Sequence, residues 1–258
     1  MIARQYGPAV VVGLALLLVW ELLPPAIGLP QLLIPKASLV FGALWTQIGR
    51  GLILDALLYT LTEALSGFAL GSVAGVVCAA LITRSALVER ALLPYLVGLQ
   101  ALPKVALAPL LVVWLGFGIG SKIAIATIIA FFPVLINSMI GFSTVDPGKL
   151  ELMRSLVASE WQIFRIVRFP NALPFIFAGL NVGIVLSITG ALVGEFIGAK
   201  RGLGTLLLQF NFNLDIAGMF AVLIVLALMG TTLHAAVRTL HRSVVFWAEP
   251  ERLDRRNV

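Results

Sequence analysis

Apolar runs of roughly bilayer length recur along this chain, at about 8–28, 56–83, 91–116, 119–141, 173–199 and 216–237. A membrane-crossing helix needs roughly 20 mostly apolar residues. In lipid, only helices and closed barrels satisfy their own backbone polar groups. The runs therefore predict an all-α, polytopic integral membrane protein with about six transmembrane helices. Composition agrees: 60% of the 258 residues are hydrophobic and only 12% charged. Soluble domains carry about 25% charged residues, and a chain this poor in them cannot present a water-facing surface all round.

The first run follows Arg4 and superficially resembles a secretion signal, but it is long and lacks a small-residue cleavage site, so it reads as a retained span. Glu21 and the pair Pro24-Pro25 are expected to end or kink it. The third run, LLPYLVGLQALPKVALAPLLVVWLGFG, contains Pro94, Pro103 and Pro109, with Lys104 in its middle. Proline removes a backbone donor and disfavours helix in the residue before it, so this span is expected to be broken. Two readings stand. The break near Leu102–Lys104 lines a pathway, or a short interfacial helix turns into the true span with Lys104 near the headgroups. Gly67, Gly71 and Gly75 share one helical face of the second run. Gly179, Gly183, Gly190, Gly194 and Gly198 do so in the fifth, which predicts close helix packing in lipid.

Orientation follows from the basic residues. With the N-terminus inside, inner segments hold Arg4, Arg84, Arg90, Lys149, Arg154, Arg165, Arg168, Arg238, Arg242, Arg252, Arg255 and Arg256. Outer segments hold Lys36, Arg50, Lys122, Lys200 and Arg201. Both termini are thus expected to be cytoplasmic. The formal charge of +6 belongs to this topology and gives no reason to expect nucleic acid as a partner.

The longest inner segment, 142–172, reads as a turn at Asp146-Pro147-Gly148, a helix near 149–157, a break, and a second helix near 159–168 stopped by Pro170. Leu150, Met153, Leu156 and Val157 fall on one face of the first helix, and Trp161 and Phe164 on one face of the second. Periodicity alone describes two amphipathic helices that would rest on the bilayer, with basic residues toward phospholipid.

From Val105 to Leu240 the chain resembles the permease subunits of type I ATP-binding-cassette importers, and is most similar to the branch for nitrate, taurine, alkanesulfonates and pyrimidine precursors. The likeness is carried by LPKVALAPLLVVWLGFGIGSKI, FFPVLINSMIGFSTVDP, ELMRSLVASEWQIF, PNALPFIFAGLNVGI and GEFIGAKRGLG. Such permeases carry an inner loop of the pattern E-A-A, three residues, G, nine residues, I-x-L-P. Here Glu151 and Pro170 match identically. Leu152 and Met153 stand for the alanines, Val157 for the glycine, Val167 for the isoleucine and Phe169 for the leucine. The resemblance implies a coupling helix of Glu151, Leu152, Met153, Arg154, Ser155, Leu156, Val157 and Ala158, with Pro170 closing the loop, docked in a groove on a separate ATPase. Leu152 and Met153 imply a roomier groove than alanines would need. With valine replacing the turn-easing glycine, the break is expected to move to Ala158-Ser159.

The resemblance further implies a dimer of such permeases, ABC ATPase subunits that bind ATP and magnesium, a periplasmic or lipid-anchored solute-binding protein, and residence in a bacterial inner membrane among its lipids. No cofactor is expected in this chain. Its domains would be an N-terminal helix with outer linker (1–55), the type I transmembrane domain (56–240) and a basic tail (241–258).

Glu63, Glu195 and Lys104 are the ionisable residues expected in or near spans, where such groups are rare and face an interior or a wet cavity. With Pro103 they are the candidates for a pathway or gate. Glu63 suits a snorkelling or helix-end place. For Glu195 a structural hydrogen bond and a gate are equally open. Lys104 could attract an anion or pair with Glu63 or Glu195. There is no GxxxxGK[ST] phosphate loop, HExxH or GxSxG, so no enzyme is expected. Gly116–Gly120 reads as a tight turn. Cys78 reads as a small apolar residue, and His234 and His241 lie too far apart for a helical metal pair. A secondary transporter or channel is the rival reading, but neither a clear repeat nor several mid-membrane charges appear. A membrane enzyme would need clustered His, Asp or Glu at one depth.

Overall fold

The computed structural model describes residues 2–247. Arg252, Arg255 and Arg256, assigned to the inner side, lie outside them, as does the side chain of Arg4. Among the described residues every regular element is a helix. In chain order these are α1 (Ile2–Ala26), α2 (Ala37–Gly49), α3 (Leu52–Ile82), α4 (Ala86–Ala101), α5 (Ala108–Leu115), α6 (Ile119–Ser143), α7 (Pro147–Ser155), α8 (Glu160–Ile163), α9 (Phe169–Gly198), α10 (Leu203–Phe212) and α11 (Ile216–Val244).

Among the described residues, four helical stretches are long and apolar enough to cross a membrane: α3, α6, Glu160–Gly198 and α11. The pair α4 and Lys104–Leu115 makes a fifth, bent by 80°. The expected break is there: the chain is extended at Leu102 and Pro103, and a tight 3-10 turn at Lys104–Leu107 leads into α5. The first apolar run is helical to Ala26 and turns at Gly28, with φ +70°. Its described apolar part, Val10–Ala26, is shorter than the full spans.

The chain divides into two compact units, Met1–Thr60 with Lys200–Leu228, and Leu61–Ala199 with Met229–Val258. In the first, Glu21 on α1 caps α2: its carboxylate accepts the Ser38 amide at 2.9 Å and the Ser38 hydroxyl at 2.8 Å. A negative group at the start of a helix meets unpaired N–H groups and the positive end of the helix dipole. Trp20 beside it donates to the Pro35 carbonyl at 3.0 Å, and the Leu203 amide that opens α10 donates to Thr60 Oγ1 at 2.8 Å.

The second unit is built on α6. The glycine faces expected from sequence press against it from two sides. A Cβ at Gly71 on α3 would sit 2.6 Å from the Thr127 carbonyl oxygen, and one at Gly190 on α9 would sit 2.7 Å from Ala126 Cα. Backbones approach this closely only where side chains are missing, and in lipid that contact area replaces the hydrophobic drive available in water. Ala79, Leu135, Met139, Phe142, Ala172 and Ile176 fill the space between α3, α6 and α9.

Candidate functional site

The coupling loop begins with α7. Pro147 occupies the first turn, where its missing N–H costs nothing, and the Asp146 carboxylate accepts the Gly148 amide at 2.9 Å. The helix ends in a Schellman turn, in which Val157 N–H donates to the Arg154 carbonyl at 2.9 Å and Ala158 N–H to that of Met153 at 3.0 Å. The left-handed residue of that turn is Val157 itself, at φ 55°. The left-handed turn therefore stays at Val157, where the β-branched residue occupies glycine's place and carries its strain, and Ala158-Ser159 complete the break before α8. Val157→Gly is expected to relieve about 1 kcal/mol there. Hydrogen exchange at the Ala158 amide, slowed about fivefold relative to wild type, would show it.

Ser159 and Gln162 then form a reciprocal capping box that opens α8, with Ser159 N–H donating to Gln162 Oε1 at 2.7 Å and Gln162 N–H to Ser159 Oγ at 3.3 Å. Pro170 was expected to stop this second helix, and it does not. A wide π turn at Phe164–Arg168 carries α8 straight into α9. The Phe169 amide donates to the Phe164 carbonyl five residues back, and this widening moves the carbonyl that the Pro170 ring would otherwise strike.

The apolar face expected on α7 is divided. Leu150 and Met153 are half-buried, while Leu152, Leu156 and Val157 are exposed, the last at 90%. Trp161, 67% exposed, continues this surface on α8. Glu151, Arg154, Ser155 and Arg165 are exposed beside it. The loop is tied to the spans beneath it. Trp161 stacks on Phe164 and Phe164 on Phe142 of α6, each at 5.7 Å between ring centroids. Arg168 donates to the Thr83 carbonyl after α3 at 3.3 Å, and Asn171 to the Gly141 carbonyl of α6 at 3.0 Å. Ser143 at the end of α6 donates to Glu89 of α4 at 2.7 Å.

The other four candidates fall in two places. Pro103 and Lys104 lie at the break between α4 and α5, and Lys104 lines a cavity there. Glu63 and Glu195 are 0% and 1% exposed, so Glu63 takes neither the snorkelling nor the helix-end place expected of it. Their basic neighbour is Lys122, not Lys104. Lys122, assigned from sequence to an outer segment, is fully buried near the start of α6. Its ammonium donates to the Phe117 carbonyl at 2.7 Å and the Gly198 carbonyl at 3.4 Å, joining the turn before α6 and the C-terminal end of α9 to one cation. Gly194, adjacent to Glu195, leaves the space: a Cβ there would meet Lys122 Cγ at 2.9 Å. Two buried acids in facing spans, with no basic residue beside either in sequence, were the signal for such a partner.

Residues 71–246 match the family described as binding-protein-dependent transport system inner membrane component. The riboflavin transport system permease protein of Chloroflexus aurantiacus is 36% identical over 237 residues, covering 92% of this chain and 88% of that protein. The formylaminopyrimidine transport permease protein of Halalkalibacterium halodurans is 32% identical, covering 92% and 94%. Among solved structures, an inward-facing methionine ABC transporter superposes with a TM-score of 0.59 at 22% identity, covering 81% of this chain and 98% of that one. An amino acid ABC transporter does so with a TM-score of 0.60 at 18% identity, covering 79% and 97%. These two show the shared fold. Together with the expected loop and spans, the matches establish that the chain belongs to the binding-protein-dependent transport system inner membrane components, as a membrane-spanning permease subunit of an ATP-binding-cassette importer.

Proposed function

We propose that this permease works as a pair of identical subunits in a bacterial inner membrane, with both termini cytoplasmic, and that Glu151–Ala158 is the lever gripped by a partner ATPase. ATP and magnesium bind to that partner, and a separate capture protein delivers solute from the other side. The observation that carries the reading is the surface of Leu152, Leu156, Val157 and Trp161. It is apolar, exposed and rimmed by charge, and the segment that carries it stacks on α6 through Phe164, bonds through Arg168 to the Thr83 carbonyl and runs on into α9. Exposed apolar surface of this kind marks a protein contact. A lever fixed to several packed helices moves them together, because packed cores shift between discrete arrangements and resist bending. ATP-driven closure of the ATPase pair would draw two such levers together and reorient the pathway.

Other relatives are named for aliphatic sulfonates and taurine, at 27–28% identity. The spread of solutes across one fold fits recognition that is largely delegated to the capture protein. The test is co-purification of the cognate ATPase with the full-length permease. Arg154→Glu is expected to lower recovery of the ATPase about tenfold while leaving the permease inserted, since reversing one rim charge at a contact costs about 1–2 kcal/mol. Undiminished recovery, or solute movement in vesicles containing this chain alone, rejects the reading.

A further inference from the structure

Lys104, half-buried at the break between α4 and α5, stands apart from the fully buried Lys122, Glu63 and Glu195. Its ammonium makes one hydrogen bond, to the Gln100 carbonyl at 2.8 Å, and lies over the Phe132 ring at 4.8 Å from the centroid. No carboxylate pairs with it among the described residues, while Glu63 and Glu195 are neighbours of Lys122. An ammonium carries three donors, so two remain accessible on this half-buried cation beside the helix break. Ionisable residues along membrane-spanning segments are rare and usually face an interior or a wet cavity. The backbone around it is non-helical at Leu102 and Pro103, and such backbone is tolerated at membrane depth only against protein or a wet cavity. A cavity of about 330 Å³ is present, with Ile129, Phe132 and Leu186 as apolar wall and Gln100 and Thr189 as polar rim. That volume falls at the small end of ligand sites, which combine apolar walls with a few polar groups.

We propose that this cavity is a binding site for the anionic group of a small organic solute during its passage, with Lys104 as the charge that receives it. The proposal rests on the importer reading and adds the charge of the solute. A carboxylate or sulfonate accepts the two free ammonium donors, and its apolar body lies against Phe132 and Leu186. The Phe132 ring, facing the cation, holds Lys104 toward the cavity when no anion is there.

The experiment places a single thiol in the cavity, Thr189→Cys in a Cys78→Ser background, in the full-length permease in zwitterionic vesicles. The rates of alkylation by an anionic and a cationic methanethiosulfonate of similar size are compared. The anionic reagent is expected to react about tenfold faster, because one unscreened charge several ångströms away biases the two reagents in opposite directions. Lys104→Gln is expected to erase that preference, Lys104→Arg to keep it, and benzenesulfonate to slow the reaction where benzamide does not. An equal preference in Lys104→Gln, or a thiol that neither reagent reaches, overturns the proposal. So does protection that appears only when anionic lipid is added, which would assign the cavity to a headgroup. The measurement needs neither ATPase nor capture protein, so its failure is distinct from failure of the importer reading.

Discussion

Replacing Leu156 and Val157 together by aspartate is expected to lower ATP hydrolysis stimulated by the capture protein at least about 100-fold, with the permease still inserted at wild-type level. Both side chains are mostly exposed, 68% and 90%, so the subunit on its own loses little packing. Against an ATPase groove the same change would bury two unpaired carboxylates. Removing an apolar anchor at the centre of a contact costs about 2–4 kcal/mol, and uncompensated buried charge adds to it. The readout is stimulated hydrolysis by the reconstituted complex, with Trp161 fluorescence reporting that α8 keeps its stacked place on Phe164. Stimulation within about twofold of wild type would mean that nothing grips this surface.

The spans and the loop were legible in sequence because lipid leaves a chain few choices. A run of apolar residues bounded by charge must become a helix, and the break in the third run falls at Pro103, while Pro94 of the same run is carried inside α4. The glycine faces were legible for the same reason, since spacing of four puts small residues in a line wherever the partner helix lies. What escaped depended on neighbours. Lys122 follows the Gly116–Gly120 turn closely, and linear position alone assigns it to the outside. Its burial is set by α9, where Gly194 makes room for its stem and Glu195 meets its charge. Pro170 follows the rule for a helix stop only in an α-helix; the π turn before it changes which carbonyl the ring faces. Val157 breaks the local preference against left-handed backbone because the Schellman bonds on either side hold it. Each of these departures lies beside a surface or charge cluster to which a role is assigned here, where local consistency most often yields to tertiary demand.

Lys122→Met is the substitution expected to damage the fold most. The side chain is fully buried, as are Glu63 and Glu195 near it, and among the described residues it is a basic group facing both acids. Methionine keeps the unbranched stem and drops only the ammonium, so the loss reports mainly on the charge. Removing one member of a buried ionic group takes counter-charge away from partners that stay desolvated, at a cost of about 3–5 kcal/mol. Two carbonyls, of Phe117 and Gly198, lose their donor as well. For a chain of this length the thermal midpoint of the purified permease should fall by about 10 °C. Adding Glu63→Gln and Glu195→Gln should recover most of that fall, because neutral amides need no counter-charge and similar volumes keep the glycine-lined contact of α9 with α6. Recovery is the decisive measurement. If the triple variant is as unstable as Lys122→Met alone, the lysine acts through its two carbonyl bonds, and the acids contribute little to holding α3, α6 and α9 together.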